Sequence, residues 1–129
     1  GTVLQVNTQT GATLWSSQVT DVEIFTTPAI TAEWVVLGAE DGFLYALARP
    51  SGEVRWKFDT GGTPQSPVIA GDKVLSSADG TLYLLNLENG ESLWSLEISD
   101  VITAPAVAGT LVLVGSDEGT VTAFRGSES

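Results

Sequence analysis

Short apolar runs recur along this chain, each bounded by glycine, proline, asparagine or an acidic residue. Residues 43–47 (Phe-Leu-Tyr-Ala-Leu) match residues 81–85 (Thr-Leu-Tyr-Leu-Leu), 120–124 (Thr-Val-Thr-Ala-Phe) and 2–6 (Thr-Val-Leu-Gln-Val). Runs this short, rich in aromatic and β-branched residues and closed by turn formers, predict strands. Ahead of them lie further apolar runs, Trp34 to Leu37, Lys73 to Leu75 and Leu111 to Val114. Between the two sit Asp41-Gly42, Asp79-Gly80 and Glu118-Gly119. An acidic residue followed by glycine between apolar runs predicts a two-residue hairpin, because glycine accepts the positive φ such turns demand. A second turn follows at 7–11, 48–52 and 86–90. Short strands ending on Trp15, Trp56 and Trp94 come next. Upstream of each hairpin a strand carries proline, at Pro28, Pro67 and Pro105. Proline has no N–H for a ladder, which predicts an edge strand or a strand's first residues. No stretch has helical periodicity.

The units repeat. Glycine, a second glycine ten residues on and tryptophan four residues later occur at Gly1, Gly11, Trp15; at Gly42, Gly52, Trp56; and at Gly80, Gly90, Trp94. A fourth copy starts at Gly119 and has Ser129 where its second glycine would fall. The first glycines lie 41, 38 and 39 residues apart. Self-similarity at that period marks a repeat architecture. A repeated four-stranded antiparallel meander of about 40 residues is a propeller blade, whereas a β-solenoid uses shorter repeats and parallel strands. The predicted fold is therefore all-β, a partial β-propeller of about three blades. It comprises a partial blade at 1–15, blades at 21–57 and 60–95, and a second partial blade at 100–125. An indole at one fixed point of every blade fills the wedge between sheets, provided its N–H finds an acceptor.

Composition narrows the chemistry. The 129 residues contain no cysteine, histidine or methionine. Disulfides, thiol nucleophiles, imidazole bases and the usual zinc or blue-copper sites are thereby excluded. The 16 acidic and 5 basic residues give a net charge of −11. Such a surface repels phosphate backbones and anionic lipid, so no nucleic-acid partner is expected. No apolar run approaches the roughly 18 residues that span a bilayer, and no direct membrane insertion is expected.

The string Asp-Gly-Thr-Leu-Tyr-Leu-Leu-Asn-Leu-Glu-Asn-Gly-Glu-Ser-Leu-Trp (79–94), with its counterparts at 42–56 and 1–15, resembles the repeat of pyrroloquinoline-quinone-type propellers. That family's blade ends in an alanine–x–aspartate–x–x–x–glycine–x–x–x–tryptophan docking motif. The resemblance implies that Trp15, Trp56 and Trp94 stack between blades, each buried, with Gly11, Gly52 and Gly90 at the contacts. Here the motif's alanine is kept at Ala46 and Ala123 and replaced by Gln5 and Leu84. Its aspartate is replaced by Asn7, Ala48, Asn86 and Arg125. These departures predict weakened inter-blade hydrogen bonding, most of all at Ala48.

The family's quinone-dependent dehydrogenases are much longer chains that hold the cofactor against calcium, in the alcohol enzymes beside paired cysteines. This chain has no cysteine and no recognisable calcium-site context, so no catalytic, cofactor-binding or metal residue is assigned. The resemblance favours instead the non-catalytic branch, typified by BamB-like envelope assembly factors and by sensor domains, with protein partners. A fragment of a quinoprotein dehydrogenase is the alternative.

Three features bear on that choice. The tip residues Glu40, Asp41, Asp79, Asp117 and Glu118 share one rim and offer oxygen ligands for Ca²⁺, but acidic residues before glycine are also what tight turns prefer. Trp34 stands off the repeat, with Lys73 and Leu111 as its counterparts. It is either a partner contact or packed on its own sheet or Phe25. Thr60-Gly61-Gly62-Thr63-Pro64 is glycine-rich but is followed by no helix, so it predicts a link between blades and not a phosphate cradle. The chain lacks an initiator methionine and starts mid-blade. It is expected to be the C-terminal part of a longer propeller, or to self-associate by joining 100–125 of one copy to 12–15 of another.

Overall fold

The computed structural model describes residues 1–98, 103–108, 111–115 and 118–125. These residues form thirteen strands and no helix. The strands are β1 (Thr2–Val6), β2 (Thr13–Gln18), β3 (Ala29–Ile30), β4 (Trp34–Gly38), β5 (Phe43–Ala48), β6 (Val54–Asp59), β7 (Val68–Ala70), β8 (Lys73–Ala78), β9 (Thr81–Asn86), β10 (Ser92–Glu97), β11 (Ala106–Ala108), β12 (Leu111–Gly115) and β13 (Val121–Arg125). They form four antiparallel sheets in chain order: β1-β2, β3-β4-β5-β6, β7-β8-β9-β10 and β11-β12-β13. The two central sheets are complete four-stranded blades, and the whole is an open partial propeller. Pro28, Pro67 and Pro105 each stand immediately before the first strand of a sheet, where a missing N–H costs no ladder bond.

The middle strands are apolar on both faces because both faces are covered. Val36, Leu44 and Ala46 pack with Val74, Leu85 and Leu87 of the next sheet. The alternate residues Val35, Leu37, Tyr45 and Leu47 meet Val3, Trp15, Val19 and Val22 on the other side. Leu75 and Leu82 continue the stack toward Val107 and Val112. Each sheet is thus one layer in a series, which explains continuous apolar runs in place of strict alternation. The segments leading into β3 and β7 also touch, with the Thr27 amide donating to Ser66 Oγ at 2.9 Å.

Two local expectations are corrected. The tryptophan-bearing strands run three residues past the tryptophan, to Gln18, Asp59 and Glu97. Those last residues carry little apolar signal, yet their backbones complete the ladder, as in the pairs Thr2↔Gln18 and Phe43↔Asp59. Of the acidic-glycine tips, Asp79-Gly80 is the two-residue hairpin expected, with Asp79 itself at φ +45°. The tip at Asp41-Gly42 instead spans residues 39–42, because the Asp41 carboxylate accepts from the Phe43 amide and folds the loop around it.

Candidate functional site

Two inter-blade corners repeat atom for atom. Trp15 of β2 lays its indole on Gly52, in the β5–β6 turn of the next sheet. Trp56 of β6 does the same on Gly90, in the β9–β10 turn. A Cβ on Gly52 would stand 2.7 Å from Trp15 Cδ2, and one on Gly90 would stand 3.0 Å from Trp56 Cγ. Both glycines also hold positive φ, +77° and +73°, so only glycine satisfies contact and backbone together. Each indole N–H donates to the carbonyl three residues before its glycine: Trp15 Nε1 to Arg49 O at 2.6 Å, Trp56 Nε1 to Leu87 O at 2.7 Å.

This geometry corrects the expected weakness at Ala48. The indole acceptor is a main-chain carbonyl, so the side chain at the motif's aspartate position is not part of the inter-blade bond. That position acts within its own turn, where Asn7 Oδ1 accepts from the Gln9 amide and Asn86 Oδ1 from the Glu88 amide, both at 2.9 Å. At Ala48 the backbone closes the turn unaided, Gly52 N donating to Ala48 O at 2.7 Å.

The other two expected corners differ. Trp56 is 8% exposed, but Trp94 is 40% exposed and not buried. The corner that covers a tryptophan belongs to the following sheet. For Trp94 the position ten residues past Gly119 is Ser129, outside the described residues. Gly11 has nothing within 4 Å of where its Cβ would stand, because no tryptophan-bearing strand precedes β1 among the described residues.

A second tie between blades is absent from the sequence reading. Tyr45 and Tyr83 each lie three residues after a hairpin glycine and tie their sheet to the segment leaving the previous one, Tyr83 directly and Tyr45 through Asp41. Tyr83 donates to Thr60 O at 2.9 Å. Tyr45 donates to the Asp41 carboxylate, which also accepts from Thr20 Oγ1 at 3.0 Å and from the Phe43 amide at 3.0 Å. The signal was available as a tyrosine shared by two copies, but Leu4 and Thr122 at the same offset broke the pattern. The glycine-rich stretch is likewise structural: Thr60 is buried and its hydroxyl donates to Gly42 O at 2.7 Å.

Burial pushes the Asp41 carboxyl up, but the hydrogen bonds from Tyr45, the Phe43 amide and Thr20 outweigh it. The net value lies below the usual carboxylate range. Burial and the Asp41 bond both raise Tyr45, which stays protonated as the donor. A depressed folded value means that Asp41 stabilises the protein fully above its unfolded value, near pH 4, and loses that effect as pH falls through the folded one. We expect Asp41→Asn to lose stability relative to the parent at neutral pH, with the gap closing as pH falls from the unfolded carboxyl value through the lower folded one. A gap independent of pH in denaturant titrations would disprove the assignment.

The acidic tips do not gather. Among the described residues no three acidic side chains are grouped as a metal site, and Asp117 lies outside the described residues. Trp34 is half-buried. Its body packs on the cluster containing Val36, Trp56, Val74 and Leu87, and Phe25, 47% exposed, is not part of that cluster. Trp34 lines a groove between the two complete blades together with Glu33, Pro50, Arg55 and Glu88.

Stacked four-stranded meanders tied by indole-on-glycine corners define a β-propeller segment of the quinoprotein-type repeat. The chain belongs to the family described as outer membrane protein assembly factor BamB, whose profile matches residues 1–128. It is similar to the crystal structure of BamB from Moraxella catarrhalis, at 25% identity and TM-score 0.83, over 97% of this chain and 39% of that one. It is also similar to the computationally designed Ika8 protein, at 28% identity and TM-score 0.82, over 90% and 37% of the two chains. Saccharomyces cerevisiae Sqt1, at 21% identity and TM-score 0.77 over 93% and 37%, shares the fold. The chain thus spans about two fifths of the length of these structures. No curated protein matches it.

Proposed function

We propose that these blades are part of a non-catalytic β-propeller scaffold for protein–protein interaction in the cell envelope, acting in outer-membrane protein assembly as the family's description suggests. The observation that carries this reading is the use made of the recurring groups. Trp15, Trp56, Tyr45 and Tyr83 and the glycines facing them are engaged in holding blade to blade. What varies from blade to blade is the solvent-facing turns, which is where a scaffold differentiates its contacts. Trp34, in the groove between blades, is the proposed contact residue.

The quinoprotein alternative needs carboxylates free to hold calcium against the cofactor. Asp41, the most constrained of the tip residues, is already held by Thr20, Phe43 and Tyr45. Incubation with pyrroloquinoline quinone and Ca²⁺, followed by dye reduction with alcohols or glucose, is expected to give no turnover. The full-length protein is expected to co-purify with the outer-membrane β-barrel assembly machinery. Reproducible quinone-dependent turnover would reverse the assignment.

A further inference from the structure

The groove at Trp34 lies at the end of the blades opposite the acidic tips, because the β3–β4, β5–β6, β7–β8 and β9–β10 turns all emerge there. It has two lobes that share Glu33, Trp34 and Glu88. The first, about 330 Å³, adds Asp72 and Leu87. The second, about 660 Å³, adds Ala48, Pro50 and Arg55.

The repeat supplies an internal comparison. At the corresponding corner one blade on, Lys73 replaces Trp34 and Leu93 replaces Arg55, so blade packing does not require an indole here. Trp15 and Trp56 each donate their N–H to a carbonyl. Trp34 packs its ring on the inter-blade cluster but, among the described residues, its Nε1 has no hydrogen-bond acceptor. A half-buried ring that lines the groove with its donor unpaired leaves an aromatic surface and an N–H for an occupant to satisfy.

The charges discriminate among occupants. Among the described residues the ion pair present is Lys73–Asp72, at 2.7 Å, which neutralises Asp72. Glu33 and Glu88 are exposed, have no cationic partner among the described residues, and are common to both lobes. The residues lining the first lobe include no cation, and the Arg49 guanidinium beside them is engaged with Thr31 O at 3.0 Å. An indole flanked by two unpaired carboxylates favours a cationic side chain, through the ring face and the carboxylates together. The second lobe offers Ala48 and Pro50 as an apolar shelf beside Arg55.

We infer that this groove is a docking site for an extended peptide segment of a partner protein that presents a lysine or arginine. The basic side chain enters the first lobe between Glu33 and Glu88 over Trp34. The indole N–H donates to a main-chain carbonyl of the segment, and a neighbouring apolar side chain rests on Ala48 and Pro50. This inference rests on the scaffold reading and names the chemistry of its partner.

The test uses the indole N–H resonances of the ¹⁵N-labelled protein, with that of Trp34 assigned by its loss in Trp34→Phe. The probes are a capped hexapeptide alternating leucine and lysine, the same peptide with glutamate for lysine, and spermidine. The lysine peptide is expected to shift the Trp34 resonance while leaving Trp15 and Trp56 in place, and to bind more weakly as salt is raised. The double variant Glu33→Gln, Glu88→Gln, which touches no core residue, is expected to weaken binding about tenfold or more. No shift, equal binding of the glutamate peptide, equal effect of spermidine, or unchanged affinity in the double variant would each overturn the inference. Co-purification with the assembly machinery is read separately, so a failure here leaves the scaffold reading standing and a failure there does not affect the peptide titration.

Discussion

Replacing Trp56 by alanine is expected to cost about 3–5 kcal/mol of folding stability, the range for removing a large buried aromatic. The side chain sits in the cluster that joins the two complete blades, and its loss empties that wedge and leaves Leu87 O without its donor. Trp56→Phe separates the two effects. It keeps an aromatic ring in the wedge and removes the N–H, for an expected loss of about 1–3 kcal/mol from the hydrogen bond. Trp94→Ala provides the contrast. It occupies the same place in the repeat but is 40% exposed, so its loss should be about 1–2 kcal/mol, in keeping with the smaller area buried. Denaturant titrations of the three variants give the ranking directly. Equal losses for Trp56→Ala and Trp94→Ala would refute the claim that the following sheet's glycine corner, and not the motif itself, determines burial.

Gly52→Ala should be the second large perturbation, for a reason that the motif alone does not reveal. The new methyl group must displace the Trp15 ring, whose Cδ2 stands 2.7 Å from where that Cβ would be. The backbone must in addition hold an alanine at φ +77°. Left-handed backbone costs a non-glycine residue about 1–2 kcal/mol, and forcing an extra methyl into a packed contact adds about 1–3 kcal/mol. Gly11→Ala isolates the first cost, since Gly11 shares the positive φ of +74° but faces open space. The difference between the two variants, read from thermal or denaturant unfolding, is the packing contribution of the corner. If both lose the same amount, the indole is not pressed against Gly52 in solution.

The corners also show why the repeat tolerates so many departures from its motif. The inter-blade bond runs from an indole N–H to a main-chain carbonyl, which every residue type supplies, so Ala48 costs the contact nothing. What cannot vary is the absence of a Cβ beneath the ring. The tyrosine tie is less uniform: Tyr83 reaches a backbone carbonyl, whereas Tyr45 works through the Asp41 carboxylate. That difference makes only the second tie sensitive to acid.

Apolar runs, turn residues and the glycine–glycine–tryptophan repeat were enough to determine the all-β class and the four-stranded meander, and proline marked an edge strand or a strand's first residues. These are short-range properties. Turn residues impose φ, proline removes a donor, and apolar runs mark backbones covered on both faces, so a single strand and its turn carry the information. The strand ends past each tryptophan were not legible, because only Phe58 and Leu96 interrupt polar stretches that complete the ladder through their backbones. Nor did the sequence reveal which tryptophans are buried: Trp15, Trp56 and Trp94 share one local pattern, and only the sheet stacked against each one distinguishes them. The groove at Trp34 is tertiary in the same sense. Its walls come from turns of two blades separated by about one repeat in sequence, and which partners the indole N–H and the carboxylates lack among the described residues becomes visible only once the packing is known.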